Sequence, residues 1–304
     1  MGNVYVYMSH KLIEESKELI QNLSVIEERY LLELLAVHSG LKNVMRIHIA
    51  NDQEYQILTN YCERNGMQLA HSEFRLKLSW TNDIGDQFYS DVPWEDESAE
   101  EFIAYLTKED LPSLNRAVRI EIEGSHADAG KLYGYPDCCC ENYDTIANGQ
   151  EWVEVLAQNS QGTFFSPWAN KLAYLVHGFT LFPDYFPCSY SCESTHALSK
   201  KYFELGVASG LSDFVEMQLA LMSQTYLVSE EGVFSFADWS IGDQNYLQLP
   251  LEKMNHHGVN TLEDYPEKTI KILLPTTHLT PCIWEWQGIS YRVFVFSDDP
   301  GLKH

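Results

Sequence analysis

Residues 43–66, NVMRIHIANDQEYQILTNYCERNG, place a strand pattern directly before a helix pattern. Residues 43–50 are rich in Val and Ile and predict a strand. Asn51 or Asp52 can cap a helix over residues 54–65, and Gly66 suits the C′ position that ends it. This stretch therefore predicts a small unit that combines helix and sheet.

The sequence on both sides of this stretch extends the same unit. Residues 1–40 show apolar residues at a spacing near 3.6 and predict helix, and residues 67–79 predict a second strand region. Ser98–Leu106 follows an acidic run and is expected to form a helix that opens with glutamates, as the helix dipole favours. The unit is expected to end near residue 118.

The predicted secondary structure changes twice over the remaining sequence, first to mainly helix and then to mainly strand. Residues 119–228 predict helices, including short ones at 128–133 and 137–147 and longer ones at 167–177 and 192–227, the last with possible interruptions at Gly206 and Gly210. The tail alternates apolar and polar residues, and residues 283–296 predict a hairpin with Gln287-Gly288 at its turn. We therefore predict an α+β fold of three segments: an N-terminal α/β unit (1–118), a central helical cysteine-containing module (119–228) and a C-terminal β-rich segment (229–304).

The charge balance restricts the partners. The 304 residues include 44 acids and 20 bases, a formal net charge of −24. Such a surface repels phosphate backbones and anionic membranes, so we expect a small molecule or a peptide as partner, and neither nucleic acid nor a membrane. The N-terminus lacks a secretory signal pattern, so we expect a cytoplasmic protein. The oligomeric state stays open.

The cysteines carry the strongest chemical signal. An odd number of cysteines without a signal peptide argues against a secreted disulfide scaffold. The seven are Cys62, Cys138, Cys139, Cys140, Cys188, Cys192 and Cys282.

Cys138-Cys139-Cys140 and Cys188-x3-Cys192 can supply four thiolates as two plus two, a set that suits zinc or an iron–sulfur cluster. Adjacent cysteines point in different directions on an extended chain, so only a turn or a helix start lets both reach one metal.

We expect Cys138, Cys139, Cys188 and Cys192 to bind the metal, with an iron–sulfur cluster as the cofactor and zinc as the alternative. Whether Cys139 or Cys140 is the second ligand stays open. Two other interpretations compete with metal binding: a redox-active or structural disulfide, and unlinked structural cysteines.

Two side chains next to the cysteines are candidate catalytic proton handlers. Asp137 directly precedes the first cluster, and His196 lies one helical turn after Cys192. If the chain is an enzyme, we expect redox or Lewis-acid chemistry on a small molecule or peptide. The alternatives are a non-enzymatic binding protein stapled by zinc or a disulfide, and a metal-free thiol oxidoreductase. The common nucleotide-binding and hydrolase motifs are absent from the sequence.

Two motifs carry a family resemblance. Residues 129–139, AGKLYGYPDCC, and residues 186–192, FPCSYSC, resemble the uncharacterised family called domain of unknown function 483, whose pattern is similar to GK-x-x-GYP-x-CC followed by PC-S-x-x-C. The resemblance covers residues 30–210 and implies no established activity. Cys140 stands where an apolar residue is more usual. The matching positions are Gly134, Tyr135, Pro136, Cys138, Cys139, Pro187, Cys188, Ser189 and Cys192.

Overall fold

The computed structural model describes most of the chain as two compact units. One comprises Met1–Glu141 with Leu205–Leu211, and the other Asn142–Glu204 with Ser212–His304. The division at residues 118 and 228 stays a prediction. The described residues are 8–23, 27–81, 87–96, 98–99, 101–108, 111–123, 126–147, 152–160, 162–177, 184–242, 245–258, 262–275 and 281–297.

The first unit packs helices on a small antiparallel sheet. Its helices are α1 (His10–Gln21), α2 (Glu27–Ser39), α3 (Asp52–Asn65), α4 (Leu111–Glu123) and α5 (His126–Leu132). Its strands are β1 (Val44–Ile49), β2 (Gln68–His71), β3 (Phe74–Thr81), β4 (Gln87–Pro93) and β5 (Phe102–Thr107). The strands form a three-stranded sheet in the order β1-β5-β2 and the separate hairpin β3-β4. Helix α6 (Asp137–Ala147) begins in this unit and ends in the second.

The strand–cap–helix prediction for residues 43–66 is confirmed. The Asn51 side chain accepts a hydrogen bond from the Glu54 amide at 3.1 Å, and α3 ends at Gly66 with φ 64°. The N-terminal helical region divides into α1 and α2, and its first seven residues lie outside the described chain.

The helix predicted at Ser98–Leu106 is wrong, because Phe102–Thr107 is the central strand β5. It pairs with β1 on one side and with β2 on the other, and all six residues are buried. A central strand that is covered on both faces shows a continuous apolar run without alternation, and such a run resembles a buried helix.

The second unit is built on a six-stranded sheet. Its helices are α7 (Trp152–Asn159), α8 (Leu172–His177), α9 (Glu193–Ala208) and α10 (Ser212–Met222), with 3-10 turns at Pro167–Ala169 and Leu251–Lys253. Helix α9 begins in this unit, and its residues from Leu205 onward belong to the first. Its strands are β6 (Phe164–Phe165), β7 (Thr225–Val228), β8 (Gly232–Phe236), β9 (Ser240–Ile241), β10 (Tyr246–Pro250), β11 (Met254–Gly258), β12 (Thr269–Leu273), β13 (Cys282–Trp286) and β14 (Ile289–Phe296). The large sheet has the order β11-β8-β7-β14-β13 with β6 beside β14, and the smaller one has the order β12-β10-β9.

The predicted hairpin of the tail is present as β13 and β14. Gln287 and Gly288 have φ of 49° and 82°, the pair of positive values that a tight two-residue hairpin turn requires. The helical region expected over 192–227 is interrupted at Gly210, one of the two glycines expected to interrupt it, and its end is strand β7 instead of helix.

Helices and mixed sheets together confirm the predicted α+β class. β6 pairs with β14 in parallel, whereas the other strand pairs are antiparallel among the residues that the structure describes. No helix in that part of the chain is long and apolar enough to cross a membrane.

Candidate metal centre

Four cysteine sulfur atoms gather in one place. The Sγ atoms of Cys138, Cys139, Cys188 and Cys192 all lie within 4.8 Å of one another. Within the described ranges, no other group of three or more His, Cys, Asp or Glu side chains converges in this way. Four thiols at this separation can bind a metal ion.

The start of helix α6 brings two adjacent cysteines to the cluster. The amides of Cys139 and Cys140 both donate to the Pro136 carbonyl, at 2.9 and 3.0 Å, so the first helical turn forms directly after the proline. Successive side chains on a helix are turned by about 100°, which allows neighbours to converge. The sulfur atoms of Cys138 and Cys139 lie 3.9 Å apart. Cys138 is exposed, whereas Cys139 is buried.

Cys140 points away from the cluster and packs within the first unit. Its Sγ atom lies 3.7 Å from the Tyr135 carbonyl oxygen, and a Cβ atom at Gly130 would lie 2.6 Å from that sulfur. Burial raises the pKa of the Cys140 thiol to about 11, which keeps it protonated. The structure therefore groups Cys139, and not Cys140, with the other three sulfurs.

The second pair of cysteines stands on a turn that leads into helix α9. The Cys192 amide donates to the Ser189 carbonyl at 3.2 Å, and α9 begins at the next residue, Glu193. The positive end of a helix dipole stabilises a thiolate at this position. Cys192 is 7% exposed and Cys188 is half-buried.

Tyr190 anchors this turn in the core of the second unit. Its ring is fully buried against Phe165, Phe294 and Phe296, with ring centroids 5.6, 5.2 and 5.1 Å away. Its backbone amide donates to the Ser160 hydroxyl at 2.8 Å. The buried Tyr190 ring and its backbone hydrogen bond therefore hold the 188–192 turn in position.

Asn159, the last residue of α7, supports both cysteine segments. Its side-chain amide nitrogen donates to the Cys188 carbonyl at 3.0 Å and to the Asn142 side-chain oxygen, also at 3.0 Å. Asn142 is part of α6, the helix that carries Cys138 and Cys139. Nearby, Tyr143 of the same helix stacks on Phe186 at 6.3 Å between ring centroids.

Arg292 of β14 connects the end of α7 to the sheet. Its two terminal guanidinium nitrogens donate to the carbonyl oxygens of Ala157 and Ser160 at the end of α7. The guanidinium also lies over the Phe294 ring, 5.0 Å from its centroid. Burial lowers the pKa of Arg292, yet these two carbonyls give the charge hydrogen-bonding partners.

The two candidate proton handlers occupy different surroundings. The His196 Nε2 atom lies 2.9 Å from the Tyr190 carbonyl oxygen, so it donates there and holds the turn. Asp137 is exposed in the first turn of α6. Their catalytic roles stay predictions.

The remaining two cysteines lie outside the cluster. Cys62 and Cys282 are buried, and burial raises their thiol pKa to about 12 and about 11. None of the seven cysteines forms a disulfide.

Sequence reasoning missed the residues that support the site: Asn142, Asn159, Ser160 and Arg292. One signal was present for Asn142, which lies four residues after Cys138 and therefore on the same helix face. Asn159 and Arg292 gave no signal, because their proximity depends on the tertiary fold.

Comparisons with known proteins give no relative for this chain. No protein-family model, no curated protein and no solved structure matches it.

Proposed function

We propose that Cys138, Cys139, Cys188 and Cys192 bind one zinc ion as four thiolates. The observation that carries the proposal is the mutual distance of their sulfur atoms, all within 4.8 Å. Zinc–thiolate bonds of ~2.3 Å in a tetrahedron separate neighbouring sulfurs by ~3.8 Å. The 3.9 Å between Cys138 and Cys139 is close to this value.

The same distances support a single ion over the iron–sulfur cluster that the sequence predicts. In a four-iron cluster each cysteine binds a different iron, so the thiolate sulfurs stand further apart than they do around one shared ion. A single iron ion with four thiolates fits the same geometry, and metal analysis separates it from zinc.

A zinc ion with four protein ligands has no open coordination position, and such sites are structural. We therefore propose that the chain is a zinc-stapled binding protein in which the ion fixes the start of α6 and the 188–192 turn. Its partner would be a small molecule or a peptide, since a net charge of −24 disfavours nucleic acid. A reducing compartment, the cytoplasm, would keep the thiols available for zinc.

A redox or Lewis-acid enzyme that acts on a small molecule or peptide is the second candidate. The exposure of Cys138 favours it, because a solute could reach a ligand sulfur from that side. In that case one thiolate would exchange for substrate and leave three protein ligands, the arrangement typical of catalytic zinc.

Anaerobic purification followed by elemental analysis tests the proposal. We expect one zinc per chain, little iron and no acid-labile sulfide. Cys188→Ala should lose the zinc, whereas Cys282→Ala, which removes a buried cysteine outside the cluster, should retain it. Equal zinc content in these two variants, or several irons with sulfide in the unaltered chain, would contradict the proposal.

A further inference from the structure

We propose, building on the zinc site above, that the amide pair Asn142–Asn159 is a positioning element of the metal centre. It ties the backbone of Cys188 to the helix that carries Cys138 and Cys139. The proposal rests on two hydrogen bonds from a single nitrogen atom, one to each side of the cluster.

The Asn159 nitrogen has two hydrogens and two acceptors. One hydrogen goes to the Cys188 carbonyl and the other to the Asn142 side-chain oxygen, and each donor–acceptor distance is 3.0 Å. Both distances are typical of well-formed N–H···O bonds. The two donor sites of this nitrogen are therefore used to join the two cysteine segments.

The position of Asn142 makes this link relevant to the metal ligands. Asn142 follows Cys138 by four residues and Cys139 by three, so the three side chains share one face of α6. Holding Asn142 fixes the rotation of that face, and with it the direction in which both sulfurs point. Cys188 is fixed at the same time through its own carbonyl.

The Asn142 amide nitrogen adds a second observation. It is buried and has no hydrogen-bond partner among the residues that the structure describes. A buried N–H without an acceptor is costly, and a metal-bound thiolate one helical turn away is an acceptor of suitable chemistry. Hydrogen bonds of this kind from outside the ligand set orient ligands and tune metal affinity.

Asn159 is a favourable residue for a test because its side chain is exposed. Truncating an exposed side chain removes little packing, so a loss of affinity can be separated from a loss of folding. Asn159→Ala removes both hydrogen bonds. Asn159→Asp keeps the shape and replaces the two donors with an acceptor that faces two oxygen atoms. Asn255→Ala, at an exposed asparagine of β11, is the matched control.

The experiment measures zinc affinity by competition with a chromophoric chelator, using the full chain. We expect Asn159→Ala to bind zinc about 10- to 100-fold more weakly, the usual effect of losing an outer-sphere partner, and Asn159→Asp at least as weakly. Asn255→Ala should match the unaltered chain. The thermal midpoint of the metal-free Asn159 variants should match that of the unaltered metal-free chain. With cobalt in place of zinc, the Asn159 variants should show altered d–d bands. A purely structural role of Asn159 would leave these bands unchanged.

A double-mutant cycle with Asn142→Ala completes the test. Because one hydrogen bond joins the two residues, the losses in affinity should be less than additive. Unchanged zinc affinity and cobalt spectra in Asn159→Ala, with one zinc in the unaltered chain, would overturn this inference and leave the zinc proposal standing. An unaltered chain that binds no metal would overturn both.

Discussion

The sulfur atoms of Cys138 and Cys139 lie 3.9 Å apart, although the two residues are neighbours in the chain. This approach is possible because helix α6 begins at Asp137, directly after Pro136, and turns both side chains toward one point. The next side chain, Cys140, is turned further and packs against Gly130 and the Tyr135 carbonyl. The helix start therefore separates two ligand cysteines from one core cysteine.

Replacing Cys139 and replacing its neighbour Cys140 should have opposite effects on zinc binding. Cys139→Ser should lower zinc affinity by more than about 100-fold, beyond what a lost outer-sphere partner costs. Cys140→Ser should retain one zinc per chain, because that sulfur lies outside the cluster. Elemental analysis of the two purified variants checks this. Zinc loss from Cys140→Ser with retention in Cys139→Ser would reverse our ligand assignment.

Gly130 should be intolerant of even a methyl group. Alanine in a helix interior is normally about 1 kcal/mol more favourable than glycine. Here the new Cβ atom would lie 2.6 Å from the Cys140 sulfur, so we expect Gly130→Ala to destabilise the protein by about 1 kcal/mol or more. Urea unfolding measures the change.

The second variant in this test is Cys140→Ala, which removes the obstructing sulfur. In that background Gly130→Ala should be neutral or stabilising, so the two substitutions should show a clear coupling energy. If the changes in the free energy of unfolding are simply additive, the contact with the Cys140 sulfur is not what makes Gly130 intolerant of a methyl group.

Lys42 should be essential for the stability of the first unit. Its ammonium group forms an ion pair with Glu33, both side chains are less than a tenth exposed, and it also lies 5.6 Å from the Tyr135 ring centroid. Lys42→Met would leave the Glu33 carboxylate buried without its partner, which costs about 3–5 kcal/mol. The double variant Glu33→Leu with Lys42→Met should recover much of that loss.

Urea unfolding again supplies the measurement, and Lys17→Met is the control. Lys17 pairs with Glu14 on the exposed surface of α1, where ion pairs contribute little. A Lys42→Met variant as stable as the Lys17→Met variant would show that the buried pair is dispensable.

His38 should make the protein less stable in mild acid. Burial lowers the pKa of His38 from 6.5 to about 4, and its Nε2 atom lies 2.7 Å from the Tyr61 hydroxyl. A histidine with a lowered pKa in the folded state favours folding fully above pH 6.5, and this contribution decreases as the pH falls toward 4. His38→Gln, which cannot be protonated, should flatten this dependence.

The check is the free energy of unfolding of both proteins at pH 7.5 and at pH 5, with metal removed so that cysteine protonation does not contribute. Between pH 7.5 and pH 5 the free energy of unfolding should fall more for the unaltered protein than for His38→Gln. Parallel pH profiles would show that His38 is not protonated differently in the folded and unfolded chains.

Local signals in the sequence predicted much of the fold. The Asn51 cap, the Gly66 end of α3 and the Gln287-Gly288 turn each depend on residues close in the chain, and the structure confirms them. The strand β5 was missed because burial on both faces removes the alternation that marks a strand. The acidic residues before it wrongly indicate a helix start.

Some features of the candidate metal centre could likewise be predicted from the local sequence, and others could not. The two cysteine clusters are visible in the sequence itself, and the short helix predicted at 137–147 is present as α6. The choice between Cys139 and Cys140 depends on which side chain meets Gly130, a contact ten residues away. Asn159 and Arg292 could not be predicted, because nothing in their local sequence places them beside Cys188 or the end of α7.

The measurement that tests the central claim most directly is zinc-edge X-ray absorption of the chain purified without added metal. We predict one zinc per chain with four sulfur neighbours at ~2.3 Å and no nitrogen or oxygen ligand. A zinc shell containing nitrogen or oxygen, or a preparation that holds iron with acid-labile sulfide in place of zinc, would contradict the account.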